Sequence, residues 1–307
     1  MKALVTGAGG FCGRHLTSWL AERGIEVHAF TRAPLAELRT RTIDPLDLDG
    51  MARALEEIGP DRVYHLAGTA VANDAAEHYR VNTMYGAHLL RALEMAGLAR
   101  CPTLLVGTSA EYGVVTREQL PITEDADPRP YSHYGVSKLA QTLMGQVAAA
   151  REGRPVVMVR PFNVLGPGMP AHYSVQGFAR QVAAIRRGRR PPVVEVGNLD
   201  TTRDFIDVRD VAAIYHDLLG TDRARGEIVN VCSGRETPLR WIVSELIALS
   251  GVAAETAVDA GRLKPVDVPA HYGSTAKLAR LLGREPGLRP LPETLRDVLD
   301  EATGEEP

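Results

Sequence analysis

Tyr134 and Lys138 stand four residues apart in the run Tyr134-Gly135-Val136-Ser137-Lys138. On a helix that spacing puts a phenol and an ammonium on one face. A positive charge nearby favours tyrosinate and draws the phenol down from its usual value of about 10. Tyr134 is thereby a candidate proton donor or acceptor for a carbonyl or alcohol. A second hydroxyl stands at Thr108, in Val106-Gly107-Thr108-Ser109-Ala110-Glu111-Tyr112-Gly113, where it could bind the same oxygen. The plainer reading of Thr108 is a turn cap.

The element that would place a reactant against these groups lies at the N-terminus. The apolar run Ala3 to Val5 predicts a buried strand, and Gly7, Gly10 and Gly13 punctuate the turn that follows. A helix from Arg14 to about Arg23 then presents Leu16, Trp19 and Leu20 inward. Gly7 permits the tight turn, Gly10 lets backbone N–H groups approach a pyrophosphate, and Gly13 lets helix and sheet pack closely. Strand, glycine turn and helix in that order predict a dinucleotide site. A second strand, Glu26 to Phe30, ends at Thr31-Arg32, where dinucleotide folds place an acid against the ribose hydroxyls. A hydroxyl with a guanidinium suits a 2′-phosphate instead, so NADP(H) is expected, with NAD as the alternative. Tyr134 would then act beside a nicotinamide.

The rest of the chain reads as a scaffold for that cleft. Strands are expected at Arg62 to Leu66, Pro102 to Val106, Val156 to Arg160, Val193 to Val196 and Ile228 to Val231. Helices are expected at Met51 to Ile58, Ala75 to Ala96, Tyr134 to Ala150 and Gly177 to Arg187. Their alternation predicts an α/β fold with a parallel, doubly wound Rossmann sheet. The proline- and acid-rich Val114 to Pro130 reads as a loop, either a lid or a surface connection. Gly166-Pro167-Gly168 and Pro170 mark a boundary. Residues 1–165 with about 201–232 form the expected dinucleotide-binding domain; 166–200 and 233–307 form a smaller, mostly helical substrate domain.

Composition narrows the class of partner. The chain has 307 residues, 45% hydrophobic and 24% charged, with a net charge of −3. That balance gives no global pull toward nucleic acid or a membrane surface. The apolar runs are too short to span a bilayer, and the start has no leader-like pattern. Cys12, Cys101 and Cys232 are far apart and match no metal spacing, so no metal is expected and a reducing, cytoplasmic setting is.

These motifs together resemble the extended short-chain dehydrogenase/reductases, the NAD-dependent epimerase/dehydratase group acting on nucleotide sugars. Gly7-Ala8-Gly9-Gly10-Phe11-Cys12-Gly13 resembles that family's Gly-x-x-Gly-x-x-Gly loop, and Thr108, Tyr134 and Lys138 match its catalytic set. Arg160-Pro161-Phe162-Asn163, Arg203 to Asp210, Asn230 to Gly234 and Arg262 to Asp267 extend the likeness to about residue 300. The resemblance implies cofactor contacts at Gly7, Gly10, Phe11, Cys12, Gly13, Thr31, Arg32, Asp47, Leu48, Leu66, Ala67, Gly68, Tyr134 and Lys138. It implies substrate contacts at Ser109, Glu111, Asn163, Gln176, Arg203, Asn230, Arg262 and Asp267.

Within the family the likeness is to the branch handling GDP-mannose derivatives, both dehydratases and 4-keto-6-deoxy reductases. Dehydratases carry a carboxylate one or two residues after the catalytic threonine; here Ser109 and Ala110 hold those places. Reduction of a 4-keto nucleotide sugar, GDP-linked by preference, is therefore expected. The alternatives are a 4-epimerase retaining NAD and, further off, a dehydratase or a non-catalytic NADP(H) sensor. The family's habit implies a homodimer through the helices around Tyr85 to Glu94 and Ser137 to Ala150.

Overall fold

The computed structural model describes residues 1–36, 38–263 and 268–304. The N-terminal half alternates strand and helix: β1 (Lys2–Thr6), α1 (Phe11–Ala21), β2 (Glu26–Thr31), β3 (Arg39–Thr42), α2 (Leu48–Ile58) and β4 (Arg62–His65). After α3 (Ala75–His78) and α4 (Tyr85–Met95) come β5 (Thr103–Val106), α5 (His133–Glu152) and β6 (Val156–Pro161). Next are β7 (Asn163–Leu165), α6 (Ser174–Arg186), β8 (Val193–Val196), β9 (Thr202–Arg203), β10 (Phe205–Asp207), α7 (Val208–Leu219) and β11 (Ile228–Val231). The chain closes with β12 (Thr237–Pro238), α8 (Leu239–Ser250), β13 (Glu255–Val258), β14 (Ala270–His271), α9 (Ala276–Leu282) and α10 (Leu291–Gly304).

Seven strands form one parallel sheet in the order β11-β6-β5-β4-β1-β2-β3. The winding reverses between β1 and β4, and a doubly wound sheet opens a crevice at the carboxyl ends of such a pair. The α/β class and the parallel Rossmann sheet read from the sequence are both present. Both faces are apolar, as a parallel sheet between helix layers requires. One core joins Leu16, Leu20, Tyr215 and Leu218 to the β1 and β2 side chains; another joins Met51, Leu55, Leu89 and Leu93 to the opposite face. A third core lies off the sheet, where Phe178, Val182, Ile242, Leu246, Leu295 and Val298 close α6, α8 and α10 together.

The differences from expectation have local causes. The strand β3 was not anticipated, because Arg-Thr-Arg-Thr carries no apolar alternation; it is a polar edge, the place where a solvated strand survives. The single helix expected over Ala75 to Ala96 is interrupted by a π-helical turn, Tyr79–Met84. That turn swings Asn82 inward, where its amide bridges the Thr69 carbonyl and the Ser137 hydroxyl, each at 3.0 Å. The segment 114–130 is no lid. Ile122 and Val115 pack with Tyr112, Phe162 and Cys232 in a small core of their own.

Candidate active site

The cleft at the β1/β4 crevice has a volume of about 860 Å³ and runs between the sheet's carboxyl edge and the α6–α8 layer. The glycine turn forms one wall. Gly7 holds φ at +73°, and a Cβ there would fall 2.7 Å from the Ala67 amide nitrogen, so the loops after β1 and β4 touch only because residue 7 is glycine. A Cβ at Gly13 would lie 2.1 Å from the Gly7 carbonyl, so the same rule seats α1 against the turn. Gly68 leaves room for the Lys138 ammonium, which a Cβ would approach to 2.8 Å. These are the clearances a backbone-lined dinucleotide cradle needs.

Most of the expected residues meet in this one space. Gly7, Gly10, Phe11, Cys12, Gly13, Leu66 and Gly68 line it on the dinucleotide side, and Thr108, Tyr134 and Lys138 line its middle. Ser109, Asn163, Arg203 and Arg262 complete the far side. Thr31 and Arg32 stand at the end of β2, outside the cleft lining, with the Thr31 hydroxyl buried and without a partner and Arg32 exposed. An orphaned hydroxyl beside a guanidinium suits an incoming phosphate ester.

Other expected contacts lie outside the cleft lining and have structural duties. Asp47 caps α2, its carboxylate accepting the Gly50 N–H at 2.9 Å, and Leu48 packs on the core beneath that helix. Ala67 backs the glycine turn and donates its N–H to the Thr6 hydroxyl. Asn230 is fully buried, accepting the Tyr112 hydroxyl at 2.7 Å and donating to the Ile122 carbonyl at 2.9 Å. Gln176 is buried on α6 with its amide oxygen unpaired and does not line the cleft. Glu111 is also fully buried, away from the cleft, in an ion pair with Arg160 at 2.7 Å. Each of these six lies on or beside a strand end, turn or helix where the sequence gives direction along the chain but not which side faces the cleft. Asp267, with Lys264 to Val266, lies outside the described residues.

The reactive groups are placed by helix and turn ends. Ser132 caps α5 through the Gly135 N–H at 3.1 Å, which sets Tyr134 in the first turn. Thr108 caps the short turn Ser109–Glu111, its hydroxyl accepting the Ala110 N–H at 3.2 Å while lining the cleft. Both readings of Thr108 therefore hold at once. Lys138 is buried; its ammonium donates to the Val106 carbonyl at 2.8 Å and reaches Gln141 Oε1 at 3.5 Å.

The electrostatics correct one expectation. Burial outweighs any acidifying pull of Lys138 on Tyr134. Burial pushes the phenol up to about 12; the Thr108 hydroxyl opposes that, while Tyr173, Glu111 and Cys12 add to it. Sharing a helix face fixes proximity, but the ammonium points to a carbonyl at the end of β5. Burial pushes Lys138 down to about 8, and the Glu111 carboxylate holds it up. At neutral pH the pair is therefore a neutral phenol and a charged ammonium, the forms needed to give a proton away and to bind hydroxyls.

Sequence reasoning missed His271, which sits on the two-residue strand β14 and lines the cleft beside Arg203. Burial and the Arg203 charge push its imidazole down to about 4, so it stays neutral. A two-residue strand carries no periodicity, and no signal in the sequence marks it. Tyr131, His172 and Tyr173 ring the mouth, each exposed. Among the described residues the lining contains Lys138, Arg203 and Arg262 and no carboxylate. Such a cleft attracts diphosphates.

A model of the NAD dependent epimerase/dehydratase family matches residues 3–232 of the chain. The chain belongs to the NAD-dependent epimerase/dehydratase family. Among members of this family with assigned activities, GDP-6-deoxy-D-mannose reductase of Pseudomonas aeruginosa is 33% identical over 304 residues, covering 98% of this chain and 96% of the other. GDP-6-deoxy-D-talose 4-dehydrogenase of Aggregatibacter actinomycetemcomitans is 31% identical over 93% of this chain and 92% of its own. The solved structure of RMD from Pseudomonas aeruginosa, complexed with NADPH, superposes with a TM-score of 0.88 at 31% identity, covering 99% of both chains. This epimerase/dehydratase-family chain is thus an NAD(P)-dependent enzyme of the extended short-chain type. None of its described helices is long and apolar enough to cross a membrane.

Proposed function

We propose that the protein reduces a 4-keto-6-deoxy nucleotide sugar, GDP-linked by preference, at the expense of NADPH. The observation that carries this reading is a neutral Tyr134 phenol beside Thr108 in a cleft whose described lining holds no carboxylate. Dehydration needs a base for the C5 proton and an acid for the C6 oxygen besides the Tyr134 that serves C4, and the described lining holds no carboxylate for that work. Ser109 and Ala110 follow Thr108, and the next acid, Glu111, is locked to Arg160. Carbonyl reduction needs only a proton donor and an oriented oxygen.

NADPH, when bound, supplies the hydride. The glycine turn would hold its pyrophosphate, Thr31 and Arg32 its 2′-phosphate, and Lys138 with Tyr134 its nicotinamide ribose. Thr108 orients the substrate's C4 oxygen, and Tyr134 gives its proton to that oxygen as the alkoxide forms. Solvent restores the phenol. Arg203, Arg262 and Asn163 face the nucleoside diphosphate. The two relatives acting at position 4 of GDP-linked 6-deoxy sugars support this assignment of substrate class.

A homodimer through α4 and α5 fits the reading, since Met84, Met95, Val136, Leu143 and Val147 are exposed on or beside those helices. A cytoplasmic setting fits the three unpaired thiols. The test of function is a panel of 4-keto-6-deoxy sugars on GDP, UDP, CDP and dTDP, each with NADPH or NADH. We expect substrate-dependent loss of NADPH absorbance, fastest with the GDP compound and at least about tenfold faster than with NADH. Oxidation of NADPH that ignores the sugar offered would contradict the proposal.

A further inference from the structure

We propose that Glu111 is a positioning residue of this site: its buried carboxylate ties the turn bearing Thr108 to the helix bearing Tyr134 and Lys138. The proposal rests on the reading that these three groups do the chemistry. Four contacts carry it. Glu111 Oε1 accepts the Thr108 backbone N–H at 3.0 Å and the Thr142 hydroxyl at 3.1 Å, and Oε2 accepts Arg160 Nε at 2.7 Å. The Arg160 guanidinium in turn lies over the Tyr112 ring, 4.6 Å from its centre.

Three elements thus meet on one side chain. Thr108 follows β5, Arg160 lies near the end of β6, and Thr142 lies on α5, eight residues after Tyr134 and four after Lys138, so all three share a stripe of that helix. Space for the carboxylate exists because residue 107 is glycine; a Cβ there would fall 2.2 Å from Oε1. The Glu111 carboxylate, Arg160 and Thr142 are all buried, so the tie is dry and its geometry is stiff. Displacing a reacting group by about 1 Å costs on the order of 100-fold in rate, which is the scale at which this tie acts.

The charge of Glu111 serves the same site. The titratable groups facing Lys138 are Glu111 from the turn, Tyr134 on the same helix and His65 from β4, and His65 is held neutral by burial. Glu111 is then the one negative charge among them that sustains the ammonium.

The test is Glu111→Gln in the full chain, with Thr142→Val alongside, each checked for fold by circular dichroism and for NADPH affinity by fluorescence titration. In Glu111→Gln, kcat should fall about ten- to hundredfold while KM for the 4-keto sugar and NADPH affinity stay within about twofold. The Lys138 resonance of ¹³C-lysine-labelled protein, assigned by its loss in Lys138→Arg, should titrate near pH 8 in the parent. In Glu111→Gln that midpoint should lie about one pH unit lower. A folded Glu111→Gln protein with the parent's kcat and the parent's Lys138 midpoint overturns the proposal. Should Glu111→Gln fail to fold, Thr142→Val decides: a fall of about threefold or more in kcat at unchanged KM supports the tie, and an unchanged kcat overturns it. A parent that turns over no 4-keto sugar defeats the reductase reading instead; the Lys138 titration still tests Glu111, a lower midpoint supporting it and an unmoved one overturning it.

Discussion

Tyr134→Phe is expected to fold, to bind NADPH as the parent does, and to lose about 10²- to 10⁴-fold in kcat for carbonyl reduction. The substitution removes one oxygen from a ring that lines the cleft and leaves the ring's packing in place. Three other polar groups of the lining have their own duties. Thr108 is committed to its turn, Lys138 donates to the Val106 carbonyl, and His271 is held neutral by burial and Arg203. Because the phenol sits at about 12, it is fully protonated across the working range, and the parent's profile should show no alkaline loss from Tyr134 itself. Steady-state rates with fluorescence titration of NADPH check both halves. A variant that keeps a tenth or more of the parent's kcat would remove Tyr134 from the chemistry.

Gly13→Ala should abolish cofactor binding rather than slow the chemical step. The added methyl would lie 2.1 Å from the Gly7 carbonyl oxygen and 2.8 Å from Ala8 Cα, all backbone, so neither atom can swing aside. Either α1 moves off the sheet or the glycine turn opens, and both spoil the cradle of N–H groups. We expect NADPH affinity to fall by at least about 100-fold, with a stability loss of about 1–3 kcal/mol from overpacking. Gly9→Ala is the matched control: residue 9 is exposed and outside the cleft lining, and its Cβ would sit 3.5 Å from a Leu35 side-chain carbon, an ordinary contact. Its effect should be several-fold at most. Thermal melts with and without NADPH separate the two variants, since only Gly9→Ala should still be stabilised by the cofactor.

Much of this was legible because glycines and strand runs report steric facts that survive any context. The turn at Gly7, Gly10 and Gly13 is where the sequence places it, and the strands Val193–Val196 and Ile228–Val231 have the expected bounds. What could not be read was the direction of side chains at the sheet edge. Glu111 and Asn230 occupy motif positions that resemble substrate contacts, yet the turn after β5 and the last strand aim both inward, into the Arg160–Tyr112 network. Lys138 illustrates the same limit. Its spacing from Tyr134 was right, but burial outweighs any pull its charge has on the phenol, and spacing alone does not report burial. The π-helical turn that delivers Asn82 breaks the 3.6-residue period on which helix reading depends.

The central claim is that Tyr134 protonates a C4 oxygen as hydride from a bound nicotinamide reaches the same carbon. It is tested most directly by turnover of a GDP-4-keto-6-deoxy sugar with NADPH carrying deuterium at the transferable position. Mass spectrometry and proton NMR of the product should find one deuterium, at C4, for each NADPH consumed. A GDP-4-keto sugar left unreduced, while the enzyme inverts C4 of a 4-hydroxy nucleotide sugar with no net consumption of NADPH, would contradict the reductase reading and return the enzyme to the epimerases.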